Sequence, residues 1–131
     1  YDDFLKCHNG HLYTVDINPT FVDTCRKLVS DKTTVTCMDS IEYLHKLSLT
    51  ETWKADLIYL DSYDFDWNNT FPSSFHHMKE LVAVKPFIGP GTLLVIDDNM
   101  NSKGKGMFVA EYFKNIKVEP LFSAYQIGWI C

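Results

Sequence analysis

Hydrophobic residues in this chain gather in short runs that end in carboxylates, and two such runs frame its middle. Ala55–Asp61 (Ala-Asp-Leu-Ile-Tyr-Leu-Asp) and Thr92–Asn99 (Thr-Leu-Leu-Val-Ile-Asp-Asp-Asn) are apolar, β-branched and aromatic stretches bounded by turn residues, the pattern of buried strands. Between them, Pro72–Val84 carries Phe75, Met78, Leu81 and Val82 at helical spacing. Strand, helix, strand predicts two parallel neighbours joined by a right-handed crossover. Their carboxyl ends then share one edge of the sheet, where open α/β folds bind ligands. Asp61, Asp97, Asp98 and Asn99 are thereby predicted to converge.

The rest of the chain continues the alternation. Tyr1–Gly10 reads as the end of a helix with Phe4 and Leu5 toward the core and Asn9-Gly10 as its stop. That helix has no visible start, which suggests sequence preceding Tyr1. His11–Asp16 reads as a strand, and Asn18-Pro19 as a cap and first turn leading into a helix with Phe21, Val22, Cys25, Leu28 and Val29 on one stripe. Thr34–Cys37 is a short strand, and Ser40 caps a helix over Ile41–Leu47 with Ile41, Leu44 and Leu47 inward. Ser62–Phe71 and Met100–Gly106 read as loops, Met107–Phe113 as a helix, and Val118–Cys131 as two strands around Ser123-Ala124. The sum is an α/β fold of Rossmann-like type: a mostly parallel sheet with helices on both faces and a C-terminal antiparallel hairpin.

Composition narrows the class. At 131 residues the chain fits one domain spanning 1–131, and 46% hydrophobic with 22% charged residues is ordinary for a globular protein. A net charge of -5 argues against a nucleic-acid partner. No apolar run approaches the roughly 20 residues that cross a bilayer, so no membrane partner is expected and a cytoplasmic location is. Cys7, Cys25, Cys37 and Cys131 are scattered, which predicts reduced, small core residues. A homo-oligomer is left open.

The order of acids resembles that of class I S-adenosylmethionine-dependent methyltransferases. Asp16, after a strand and before a Pro-started helix, matches the family acid that holds the ribose hydroxyls. Met38-Asp39-Ser40 resembles the segment that contacts the adenine, and Asp61 matches the acid beside the methyl donor. Leu60-Asp61-Ser62-Tyr63 and Ile96-Asp97-Asp98-Asn99 are similar to segments of the metal-dependent O-methyltransferases of the macrocin and catechol types. That resemblance implies S-adenosylmethionine as cofactor, bound by Asp16, Asp39, Ser40 and Asp61. It also implies magnesium on Asp61, Asp97, Asp98 and Asn99, and a small hydroxylated acceptor. The sequence departs from the family in lacking the first strand and its glycine-rich turn; by the resemblance that strand belongs between His11–Asp16 and Ala55–Asp61. It also has Asp64 where the catechol-type enzymes carry a catalytic Lys.

Methyl transfer from a sulfonium is an in-line displacement whose needs are proximity, alignment and a deprotonated acceptor oxygen. A hard cation on carboxylate and amide oxygens can lower the acceptor's pKa. Each motif also has a plainer reading. Asp97-Asp98-Asn99 can simply end a strand, and Asp16 can bind the ribose of a dinucleotide or cap a helix. His76-His77, adjacent on a helix, cannot both face one site; one is expected in solvent, leaving the other as a candidate base. Tyr63, Phe65 and Trp67 form an acceptor lid or anchor their loop. Lys103-Gly-Lys-Gly106 lacks the full phosphate-loop pattern and reads as a flexible loop. The expectation is O-methyl transfer assisted by magnesium, with Asp61 as the catalytic residue. The alternatives are a metal-independent methyltransferase and a non-catalytic Rossmann-like module that binds a nucleoside.

Overall fold

Asn18 and Pro19 do what their order suggests: the Asn18 side chain accepts a hydrogen bond from the Thr20 amide at 2.9 Å, and Pro19 opens the helix. The computed structural model describes residues 1–100 and 103–131, which divide into two compact units, Tyr1–Tyr43 and Leu44–Cys131.

The first unit holds α1 (Asp2–Lys6), β1 (Leu12–Asp16), α2 (Pro19–Leu28), β2 (Thr33–Cys37) and the opening of α3 (Ser40–Thr50). β1 and β2 are parallel, from Leu12 opposite Thr33 to Asp16 opposite Cys37. Asp2 ties α1 to the entry of β2, accepting from the Ser30 amide and hydroxyl (3.1 and 2.8 Å) and from the Thr33 hydroxyl (2.6 Å). Those bonds, the one from Thr33 first, outweigh desolvation and hold its carboxyl well below the usual carboxylate range. The stripe expected on α2 is only partly enclosed: Val22 is buried, whereas Phe21 and Leu28 are exposed. Phe4, expected inward, is exposed and stacks on the His8 ring at 3.9 Å. α3 begins at Ser40, and Asp39 Oδ1 caps it by accepting from the Glu42 amide at 3.0 Å.

The second unit continues with β3 (Leu57–Leu60), α4 (Phe71–Val84), a 3-10 turn (Lys85–Phe87) and β4 (Leu93–Ile96). Then come β5 (Asn99–Met100), β6 (Lys103–Gly104), α5 (Met107–Asn115), β7 (Phe122–Ser123) and β8 (Ile127–Ile130). The main sheet runs β3-β4-β8-β7, with β3 and β4 parallel and the remaining neighbours antiparallel. β4, paired on both sides, buries Leu94, Val95 and Ile96 in succession, as a central strand should. Ile58, Leu60, Ile127 and Trp129 from the sheet pack with Leu81, Val84, Val109 and Phe113 from α4 and α5. The architecture is α/β, with parallel pairs β1–β2 and β3–β4 and an antiparallel C-terminal hairpin. No described strand pairs with the second edge of β1 or of β3.

Three expectations change. On α4, Leu81 is buried and Met78 partly so, but Phe75 and Val82 are exposed; the enclosed face also carries Ser74, His77 and Glu80. Polar side chains take that face because they find partners there, as when Ser74 bridges the Thr70 and Gly104 carbonyls (2.8 and 2.6 Å). Within the segment read as a loop over 100–106, Asn99 pairs with Gly104 and Met100 with Lys103 as a small hairpin; 101 and 102 lie outside the described residues. The cysteines are free, but Cys7 and Cys37 are exposed rather than in the core; Cys25 and Cys131 are half-buried, and Cys131 packs against the core cluster.

Candidate functional site

Because β3 and β4 run parallel, Asp61 leaves one strand and Asp97 the other at the same edge, and the Asp97 amide donates to the Leu60 carbonyl at 3.2 Å. What joins these strand ends is Lys105. Its ammonium lies 2.8 Å from Asp61 Oδ1 and 2.8 Å from Asp98 Oδ2, and 3.3 Å from the Asp61 carbonyl. The Lys105 side chain is 4% exposed, that of Asp98 24%, and that of Asp61 47%. Burial alone would lower the Lys105 pKa, but the hydrogen bonds it donates to both carboxylates raise it, so the amine stays charged. Burial likewise pushes Asp98 up, and the bonds from Lys105 and from the Tyr125 hydroxyl more than reverse this, holding its carboxyl low.

The backbone is shaped to deliver Lys105. Asp98 sits at φ 52°, in the left-handed region that Asp tolerates better than most residues. Gly104 has φ +135°, and a Cβ there would collide with the Asp98 carbonyl oxygen and stand 2.6 Å from Asn99 Cα. On either side of Lys105, the Gly104 carbonyl accepts from Ser74 and the Gly106 amide donates to Asn99 Oδ1 at 2.8 Å. The Lys105 amide itself donates to the Asp98 carbonyl at 3.2 Å.

The neighbouring acid is engaged differently. Asp97 Oδ2 accepts from the Tyr59 hydroxyl at 2.5 Å, and Tyr59 in turn accepts from the Gln126 amide at 3.0 Å. Burial first, and then Asp97, push the Tyr59 phenol up, so it remains a donor. Asp97 Oδ1 accepts from the Asp98 amide at 2.9 Å. Asn99 uses its NH2 on the Ile96 and Asp97 carbonyls (2.9 and 2.8 Å) and its oxygen on Gly106.

Behind Asp61, the Ser62 hydroxyl donates to Glu80 Oε1 at 2.6 Å. His77 is fully enclosed, donating Nδ1–H to the Ser73 carbonyl at 2.8 Å, with Nε2 3.7 Å from Glu80 Oε2. His76 lies 3.6 Å from Glu80 Oε1 with its ring beside Tyr63, so neither histidine is in solvent as one was expected to be. Desolvation lowers the His77 pKa, which keeps it neutral.

In the first unit, Asp16 ends β1 and its Oδ1 accepts from the Asn18 amide at 2.7 Å, while the cap of α2 is Asn18. Asp39 precedes α3 and Ser40 begins it. Asp16 and Asp39 each use Oδ1 alone in these bonds.

The donor set does not fit a resident divalent ion as it stands. A hard cation needs free carboxylate and amide oxygens, but Asp97, Asp98 and Asn99 have theirs engaged by Tyr59, Tyr125, Lys105 and main-chain amides. Among the described residues, no group of three or more His, Cys, Asp or Glu side chains is arranged to hold a metal. Sequence reasoning found the acids but missed Lys105, Tyr59, Tyr125 and the enclosed His77–Glu80 pair. The one available signal was the pair of glycines around Lys105, which mark a tightly approached turn.

An α/β fold with acids at the ends of parallel strands is the class that this geometry defines, and solved structures share the fold. MycE methyltransferase from the mycinamycin biosynthetic pathway, in complex with Mg and SAH, matches with a TM-score of 0.63 at 15% identity, over 92% of this chain and 34% of that one. Precorrin 8W decarboxylase from Methanobacterium thermoautotrophicum matches with a TM-score of 0.61 at 16% identity, over 89% of this chain and 56% of that one. The chain thus spans between a third and somewhat over half of the length of these two neighbours. No family model and no curated protein matches the sequence. Among the described residues, no helix is long and apolar enough to cross a membrane.

Proposed function

We propose that the chain belongs to an enzyme that transfers a methyl group from S-adenosylmethionine to a hydroxyl of a small acceptor such as a sugar or a phenol. The observation that carries this reading is an acid at the end of a parallel strand in each unit, Asp16 closing β1 and Asp61 following β3, in a fold shared with a methyltransferase described with SAH. Asp16 takes the ribose hydroxyls, and Asp39 with Ser40 the adenine. Asp61, half exposed and fastened through Oδ1, offers Oδ2 to the acceptor hydroxyl and aligns it for in-line displacement. Three carboxylates against one ammonium leave these strand ends net negative, which suits a sulfonium ligand.

Magnesium assistance is implied by the resemblance, and MycE is described with Mg. A second reading, transfer without a metal, is favoured by a specific observation: the Lys105 ammonium 2.8 Å from both Asp61 and Asp98.

Calorimetric titration of S-adenosylhomocysteine tests the cofactor assignment. A carboxylate accepting two hydroxyls makes charge-assisted bonds worth about 1.5–3 kcal/mol each, so Asp16→Ala should weaken binding about tenfold or more. An unchanged dissociation constant removes Asp16 from the site. Absence of binding, together with no labelled methyl transferred to sugars or phenols, rejects the reading.

A further inference from the structure

We propose that Lys105 is the resident cation of the acidic strand ends, a positioning residue that holds Asp61 and Asp98 where a divalent ion would otherwise bridge them. The inference goes beyond methyl transfer and stands on geometry alone. The ammonium is equidistant, at 2.8 Å, from carboxylates that follow two different strands. It is enclosed, with a main chain fixed on either side: Ser74 holds Gly104, Asn99 holds Gly106, and the Lys105 amide is bonded to the Asp98 carbonyl. Gly104 adopts a conformation that L side chains rarely take, and a Cβ would strike the backbone that carries Asp98. A surface lysine satisfied by chance would need none of this.

The alternative occupant of the space between Asp61 and Asp98 is a divalent ion, since magnesium is commonly held by one or two carboxylates together with water. Asp61, half exposed, leaves room for such waters. Lys105 and the ion compete for the same oxygens. Charge then predicts that the protein with Lys105 in place takes up no divalent ion at these acids, and that removing the ammonium creates a site for one.

The test uses Mn2+, followed by its electron paramagnetic resonance signal, and Mg2+, followed by the thermal unfolding midpoint. The unmodified chain should leave the Mn2+ signal free and its midpoint unmoved by Mg2+ or EDTA. Lys105→Ala should unfold at a lower temperature, bind Mn2+ about tenfold or more tightly than the parent, and regain midpoint as Mg2+ is added. Adding Asp61→Asn to Lys105→Ala should abolish that response. Lys105→Met, which keeps the apolar stem, serves if the alanine variant does not fold. Mn2+ binding by the unmodified chain that Asp61→Asn removes would overturn the proposal, as would a folded Lys105 variant indifferent to both ions. None of these readings involves S-adenosylhomocysteine or methyl transfer, so their failure is separate from failure of the proposed function.

Discussion

His77 carries a consequence for acid stability that follows from its enclosure. Desolvation holds its pKa below the ordinary 6.5, whereas in the unfolded chain it titrates normally. Between the folded value and 6.5 the unfolded state therefore binds more protons, and stability rises with pH through that window and falls as pH drops through it. Urea unfolding at about pH 7.5 and about pH 5.5 should show the loss on the acid side, and His77→Gln should flatten it. An identical pH slope in the variant would remove His77 from the account. The same residue scale explains what the sequence could show of the site. Asp61 and Asp97 were legible because the strand pattern that precedes each is local. Their partners were not: Lys105 is 44 residues from Asp61, Tyr59 is 38 from Asp97, and Tyr125 is 27 from Asp98. Nothing in the spacing of an acid says which donor the fold will bring to it.

At the scale of elements, α4 shows a boundary that was legible and a rotation that was not. Its span agrees with the pattern because Pro72 suits a first turn and the 3-10 turn at Lys85–Phe87 ends the helix. Its inward face departs from the apolar count because Ser74 and His77 make hydrogen bonds that enclosed polar groups require. Leu81 is 5% exposed and Val82 59%. Leu81→Ala should thus cost about 2–5 kcal/mol through lost packing, while Val82→Ala stays within about 0.5 kcal/mol. Equal effects in chemical denaturation would mean that the helix presents a different face. The strands were easier to read, since β3 and β4 are short apolar runs whose parallel pairing follows from the helix between them.

At the scale of the whole molecule, the two units differ in how much they enclose. In Tyr1–Tyr43 the one buried side chain is Val22, while Leu44–Cys131 has a contiguous core that includes both α4 and α5. The alternation of elements across 1–131 was legible as a single pattern, but enclosure depends on which side chains meet. That left the exposure of Phe21 and Leu28 unreadable from their spacing.

Trp129 gives this difference an optical form. All three tryptophans, Trp53, Trp67 and Trp129, lie in the second unit. Trp129 is 1% exposed with its ring stacked on Phe113 at 4.8 Å. Its emission should therefore be blue-shifted and should move to the red when the β4–β8 core opens, whereas the first unit contributes no indole signal. Far-ultraviolet circular dichroism records helix and strand from both units. With less apolar surface enclosed, the first unit should open at lower denaturant, so ellipticity should begin to fall before tryptophan emission shifts. Superimposable curves would instead mean that all 131 residues unfold as one cooperative body.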